Sequence, residues 1–463
     1  MSALLLALLS SGPAELRILD AATGRGVPLV ELETVHGERH VTDNAGRVAL
    51  PDRRELFFRV TAHGYAVPAD GLGVAGLRVT PPATVRLKRL SVAERLGRLT
   101  GTDLFRDSRL LGHPTPPANP GRVAGQDSVQ HAVYRGKAWW FWGDTARLDY
   151  PLGLFRTAGA TTPLPLPDPA DGLRYDYFTD PKTGFTRAMM PLPERPDGVI
   201  WVFGVCVVPD AAGVERLVGH YSRRKGLADE LEHGVAVFDD AAAVFQPTKP
   251  LPLAETWRHP AGNPVHFAEA GKRWLLFGSP ALTVRVPATL EAVLDPAKYE
   301  AFTPTPTGYR WTPDGPPADS KREQGWLKAG TLKSADARFL PTGDGRPVVL
   351  HSGSVRWNEY RKRWVLIAGQ IGGTSHLGEV WYAEADHPTG PFRRAVKVAS
   401  HDQQTFYNVC HHATLDRAGG RVIHFEGTYT HDFSGNPLRT PRYDYNQLLY
   451  RLDLADDRLA VGW

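Results

Sequence analysis

Five stretches of this chain repeat one short pattern: a basic or glycine-bearing turn, an apolar run, then a glycine. They span Gly136–Gly143, Asp197–Gly204, Gly271–Gly278, Arg361–Gly369 and Gly419–Gly427. The closing glycines recur roughly 60 to 90 residues apart, which marks an array of similar units. Runs of about four apolar residues after tight turns are too short for helices and read as strands. Plentiful glycine (46) and proline (39) supply the turns such an array needs. The expected fold is therefore all-β. Five units in about 350 residues fit a five-bladed β-propeller, whose innermost strands converge on an axis where ligands enter.

Residues 15–89 have a different character. Short strands are expected around Leu16–Asp20, Val30–Val35, Val48–Leu50, Leu56–Ala62 and Thr84–Lys88, separated by turns at Gly24, Gly26 and Gly46. That spacing predicts a small β-sandwich. Residues 90–121 read as a connector, stiffened by the prolines from His113 to Pro120, with Val92–Leu99 as the best short helical pattern. The propeller is expected over 122–463. Its last alternating stretch, Tyr445–Leu454, suits either an outer strand of the last blade or a strand that completes the first.

At the N-terminus, Leu4–Leu9 is too short an apolar run to span a bilayer. It matches the core of a signal peptide, with Gly12 and Ala14 placed for cleavage, so residues 1–14 are expected to direct the protein to a secreted or periplasmic location. The formal net charge is only +4 and no basic run carries interleaved aromatics, which argues against a nucleic-acid partner. Cys206 and Cys410 show no metal-type spacing and are expected as small buried side chains, with a disulfide left open.

The most pointed chemical cluster lies around the first repeat. Asp127 stands before one strand and Asp144 after the next, so a hairpin would bring the two carboxylates to the same rim. Two facing carboxylates are what glycoside hydrolysis requires, one as proton donor and one as nucleophile or base. Two turn-forming aspartates would look the same in sequence. Glu426, near the end of the fifth repeat, is a third acidic candidate, and Glu379 a weaker one. His411 and His412 occupy the inner-strand slot of the fifth unit, as His131 does in the first. A histidine there suits either a packed core or proton abstraction beside a tyrosine, as in a polysaccharide lyase. Gln126, Trp142, Arg174, Tyr175 and Tyr429, with these three histidines, are the candidate substrate-binding residues. Arg322 and its charged neighbours from Asp319 to Glu323 read as a solvated face. No metal ligands are named and no cofactor is required; a structural cation or water at the axis is compatible with the pattern.

Three resemblances sharpen this reading. Asp20 to Gly24, Val27-Pro28, Thr42-Asp43 with Gly46 and Leu50, and Gly64-Tyr65 together resemble the carboxypeptidase-regulatory or transthyretin-like domain of secreted bacterial proteins, which implies an accessory module. Gln126-Asp127-Ser128 with Phe141 to Thr145 resembles the first blade of the bacterial endo-D-arabinanase family, five-bladed propellers with an acidic pair at matching places. Glu379 to Phe392 is similar to an element of arabinanase, xylosidase and invertase propellers. The resemblance implies a glycan substrate and hydrolysis through Asp127 and Asp144, with Glu426 tuning the acid or holding the sugar. A lyase built on His411 or His412, and a non-catalytic glycan-binding scaffold, stay open beside it.

Overall fold

The computed structural model describes residues 12–69, 71–148 and 156–460. The apolar run Leu4–Leu9, read as a signal segment, lies outside the described residues. The chain divides into two compact units, one of residues 1–90 and 103–118, the other of 91–102 and 119–463.

The first unit holds two four-stranded sheets. In one, Arg47–Leu50, Ala14–Asp20, Ala83–Arg89 and Tyr65–Ala66 lie in that order, the middle pair parallel. In the other, the order is Arg39–Val41, Glu31–Thr34, Leu56–Thr61 and Gly76–Val79. Alternation turns Leu16, Ile18, Val48, Phe58 and Val60 into one buried cluster, with Val85 packed against it. A short helix, Arg106–Leu110, belongs to this unit; Asp107 accepts from the Ala49 N–H at 2.9 Å.

The second unit contains five antiparallel sheets of four or five strands, called I to V in chain order of their first strands. Sheet I is Gln130–Tyr134, Lys137–Trp142, Ala158–Pro163 and Asp176–Tyr177, and sheet II is Val199–Pro209, Glu215–Lys225, Asp229–Asp239 and Val244–Leu251. Sheet III begins Val265–Glu269, Lys272–Phe277 and Val284–Pro287, and is extended by Glu300–Thr305 and Gly308–Thr312. Sheet IV is Leu350–Asn358, Arg363–Gln370, Val380–Ala385 and Ala395–Ala399. Sheet V is Thr405–His411, Val422–Thr430 and Asn446–Asp453, with Glu94–Arg98 as its fourth strand. First strands of successive sheets are stitched by hydrogen bonds. Gly204 N–H donates to Gln130 Oε1 (2.9 Å), His266 Nε2 to Val207 O (2.9 Å), and His411 N–H to Ser354 Oγ (2.7 Å). Gly353 N–H reaches Ser279 Oγ (3.3 Å), and Ser128 N–H reaches Thr428 Oγ1 (3.3 Å), linking sheet V to the start of sheet I.

Several expectations change. Four of the five repeats form second strands, but Asp197–Gly204 supplies the first strand of sheet II; an apolar run after a turn looks alike in either place. Val92–Leu99 is not helical: Glu94–Arg98 is a strand buried along its length, with a register shift between Leu449 and Tyr450 where it passes Gly97. The segment 90–121 is thus divided between the two units rather than standing outside both. Asn446–Asp453 is the third strand of sheet V. Within Asp319–Glu323, Asp319 caps the helix Ser320–Lys328, while Glu323 is buried and accepts from the N–H groups of Arg338 and Phe339 (2.8 Å each). Cys206 and Cys410 are free thiols, both buried. Among the described residues no helix is long and apolar enough to cross a membrane.

Candidate active site

The hairpin of sheet I places both aspartates. Its strands pair Gln130 with Phe141 and Ala132 with Trp139, so the residues before Gln130 and after Trp142 leave the ladder on the same side. The pairing resumes beyond them, between Val123–Gln126 and Thr145–Arg147. In the gap, Gly143 N–H donates to Asp127 O (2.9 Å) and Asp127 N–H to Asp144 O (3.1 Å). Ser128 kinks the chain with a left-handed φ of 56°. A Cβ on Gly143 would sit 2.5 Å from Asp127 Oδ1, so any side chain here would press that carboxylate out of place.

Asp127 and Asp144 line one cavity of about 700 Å³. Sheet II contributes Trp201 and Phe203, sheet IV Ser352, and sheet V Tyr407 and Asn408, while Asn263 and Ser279 come from the loops that flank the first two strands of sheet III. Asp432, Phe433 and Tyr445, from the connection after Val422–Thr430, complete that wall. Three first strands are irregular at the cavity: the register shifts between Phe203 and Cys206, Leu350 and Gly353, and Tyr407 and Cys410. These breaks turn polar groups out of the ladders and toward the opening.

The two carboxylates have different surroundings. Asp127 accepts from the Asp144 N–H (2.8 Å) through one oxygen and from the Tyr407 hydroxyl (2.9 Å) through the other. Burial pushes its carboxyl above the usual carboxylate range, while bonds from Tyr407, the Asp144 amide, Tyr445 and Ser128 pull the other way. Asp144 accepts a single side-chain bond, from Trp201 Nε1 at 2.7 Å. Burial first, then the neighbouring Asp127 charge, raise its carboxyl to about 7 against that bond. The pair titrates as a unit, with the donor-rich Asp127 better equipped to carry the negative charge.

Of the other sequence candidates, none lines this cavity. Glu426 lies inside its strand rather than at its end, is fully buried, and bonds His412 Nε2 at 2.7 Å. Burial opposes charge on that histidine, but Cys410 and Glu426 beside it raise it to about 10. His411 is buried against Asp416 (2.9 Å), and His131 packs on Trp140 and His412. Gln126 is buried between Thr145 (3.1 Å) and the Tyr177 hydroxyl (2.7 Å). Trp142 and Tyr175 are core aromatics in edge contact, Tyr429 bonds Thr440 (2.9 Å), and Arg174 is exposed beside Asp176. Apart from the exposed Arg174, these residues lie on or beside strands of sheets I and V, with their side chains packed or half-packed away from the cavity.

The sequence reading missed Trp201, Tyr407, Asn408 and Asp432. Tyr407 and Asn408 precede the Cys410-His411-His412 run, one register break away. No lysine, arginine or histidine lines the cavity among the described residues. His431, Asp432 and Asp444 bring a ring nitrogen and two carboxylates within 4.8 Å of one another, a set able to hold a cation. His431 Nδ1 already pairs with Asp444 (3.0 Å).

No protein-family model matches the chain, and no curated protein matches it in sequence. Solved structures do resemble it. An exo-1,5-alpha-L-arabinanase from a bovine ruminal metagenomic library aligns with a TM-score of 0.37 at 10% identity, covering 72% of this chain and 94% of its own. The GH43_1 enzyme from Xanthomonas citri, complexed with xylose, aligns at 0.36 and 10%, covering 71% and 87%. The alpha-L-arabinanase of Penicillium chrysogenum, complexed with arabinobiose, aligns at 0.34 and 11%, covering 74% and 99%. Likeness of this degree leaves the chemistry to be argued from the chain's own residues.

Proposed function

We propose that this protein is a glycoside hydrolase acting on a neutral glycan, with Asp144 as proton donor and Asp127 as nucleophile or base. The observation that carries the reading is the pair itself: two aspartates joined through the backbone in one large cavity, one poised to be protonated near neutrality and the other held by donors. Asp144 gives its proton to the glycosidic oxygen of the leaving sugar. The Asp127 carboxylate, oriented by Tyr407, attacks the anomeric carbon or activates water against it. Serine and asparagine side chains around them offer donors and acceptors for sugar hydroxyls. Arabinans, xylans and galactans are the classes to try first.

We read the second unit as a five-bladed propeller with sheets I to V as blades. Supporting this, residues from sheets I, II, IV and V and from the loops flanking sheet III meet at one cavity, and hydrogen bonds between neighbouring sheets or their flanking loops run from I through V and back to I. The first unit is read as an accessory β-sandwich of carboxypeptidase-regulatory type, and export on residues 1–14 belongs to the same proposal.

The lyase alternative needs a base beside a uronate and a cation to neutralise its carboxylate. The lining offers three aspartates and no cationic side chain, which favours neutral sugars. The test is incubation with neutral arabinan, xylan and galactan and with uronate-containing glycans, reading reducing ends and the ultraviolet absorbance of unsaturated uronates in parallel. Reducing ends from a neutral glycan without new absorbance are expected. Absorbance appearing with uronate glycans alone would hand the chemistry to the lyase.

A further inference from the structure

The turn after Val422–Thr430 carries an aromatic ring where neither packing nor backbone preference favours one. Phe433 is 60% exposed, although it borders the cavity. Its φ is 65°, in the left-handed region that a bulky side chain rarely adopts. Ser128, Asn408 and Tyr445, all lining the same cavity, share the left-handed backbone. Strain of this kind survives only where surrounding contacts impose it, and it gathers at binding sites.

The contacts that impose it are specific. Asp444 accepts the His431 N–H (2.9 Å), pairs with His431 Nδ1 (3.0 Å) and accepts the Thr430 hydroxyl (3.0 Å). Thr405 Oγ1 donates to Asp432 O (2.9 Å), and Ser434 Oγ donates to His431 O (2.6 Å). The turn is therefore pinned on both sides of Phe433 while the ring itself stays uncovered. Among the described residues its one ring contact is edge-on to Tyr407 at 6.0 Å, the same tyrosine whose hydroxyl holds Asp127. An exposed ring in edge contact with a residue of the site leaves its face free, and the C–H face of a pyranose or furanose ring is apolar enough to cover it.

We propose that Phe433 is a stacking platform that positions one sugar unit of the glycan beside Asp127, and that the Thr430–His431–Asp444 network exists to hold it there. The inference rests on the glycoside hydrolase reading and adds a positioning residue to it. It makes an unusual demand on stability. Glycine at 433 would relieve the backbone, so a Phe433→Gly variant should be more stable and yet a poorer enzyme.

The experiment compares wild type with Phe433→Ala, Phe433→Gly and Phe433→Trp on whichever neutral polysaccharide the wild type cleaves, recording kcat, KM and Tm. Expected are a KM raised about tenfold or more in the alanine and glycine variants with kcat within about threefold, near-normal KM in the tryptophan variant, and a higher Tm for glycine. Unchanged KM in the alanine variant, with wild-type cleavage intact, overturns the platform alone. A lower Tm for Phe433→Gly with kcat and KM both degraded assigns the ring a structural role and also overturns it. A wild type that neither binds nor cleaves any neutral glycan overturns the hydrolase reading and the platform together.

Discussion

Asp127 and Asp144 share a cavity but not an environment, and the proposed division of labour follows from that difference. With Asp144 raised to about 7, the rate should fall as pH climbs through that value and the acid is lost. Trp201 Nε1 favours the charged form of Asp144, so Trp201→Phe should move this limb of the pH–rate profile upward; an unmoved limb would remove Trp201 from the account. Stability is linked with a definite sign. A carboxyl raised in the folded state binds more protons there than in the unfolded chain between about pH 4 and 7, so stability drops across that window as pH rises. Asp144→Asn abolishes the ionisation. It should gain on the order of 1–3 kcal/mol over wild type at pH 8 and nothing at pH 4, measured by denaturant unfolding. Equal gains at both pH values would point to packing instead. Gly143→Ala places a methyl group against the Asp127 carboxylate and should cut activity sharply while the sheet survives.

Among the elements, the strand Glu94–Arg98 is the most consequential and was the least legible. It completes sheet V from more than 300 residues away, with Arg451 Nε donating to Glu94 at 2.8 Å. Leu96 is buried in one core cluster with Leu449, Trp140 and Leu415. Leu96→Ala should therefore destabilise the second unit by ~2–4 kcal/mol in equilibrium unfolding, although it lies in a stretch that reads as a connector. A loss below about 0.5 kcal/mol would mean that this strand is dispensable. A short apolar run with charged neighbours fits helix and strand alike, and only the partner Asn446–Asp453 decides between them. The repeat pattern had the complementary weakness. It located a strand in each of sheets I to V, because a turn followed by four apolar residues is a local signal. It did not say whether that strand is first or second in its sheet, and in sheet II it is the first while in the other four it is the second. The register breaks at Phe203, Leu350 and Tyr407 left no local trace, since a bulge is defined by its partner strand.

At the scale of the molecule, what was legible depends on how far apart in sequence the interacting residues lie. Asp127 and Asp144 are separated by one hairpin, so period and turn geometry were enough to bring them together. Trp201 reaches Asp144 across 57 positions and Tyr407 reaches Asp127 across 280, from sheets whose mutual placement no local pattern encodes. Glu426, His411 and His412 lie outside the cavity lining for the converse reason. Alternation along Thr405–His411 and Val422–Thr430 alone does not say which face meets the neighbouring sheet, and these side chains, with His412 just beyond the first strand, are buried there. The central claim is that a single acid and a single carboxylate base in this cavity cleave glycosidic bonds. Its most direct test is the rate of reducing-end release from neutral glycans by wild type, Asp127→Asn and Asp144→Asn, each checked by thermal unfolding. The account predicts cleavage by the wild type and losses of about 10²–10⁴-fold in each variant with the fold intact. Undiminished cleavage by both folded variants would contradict it.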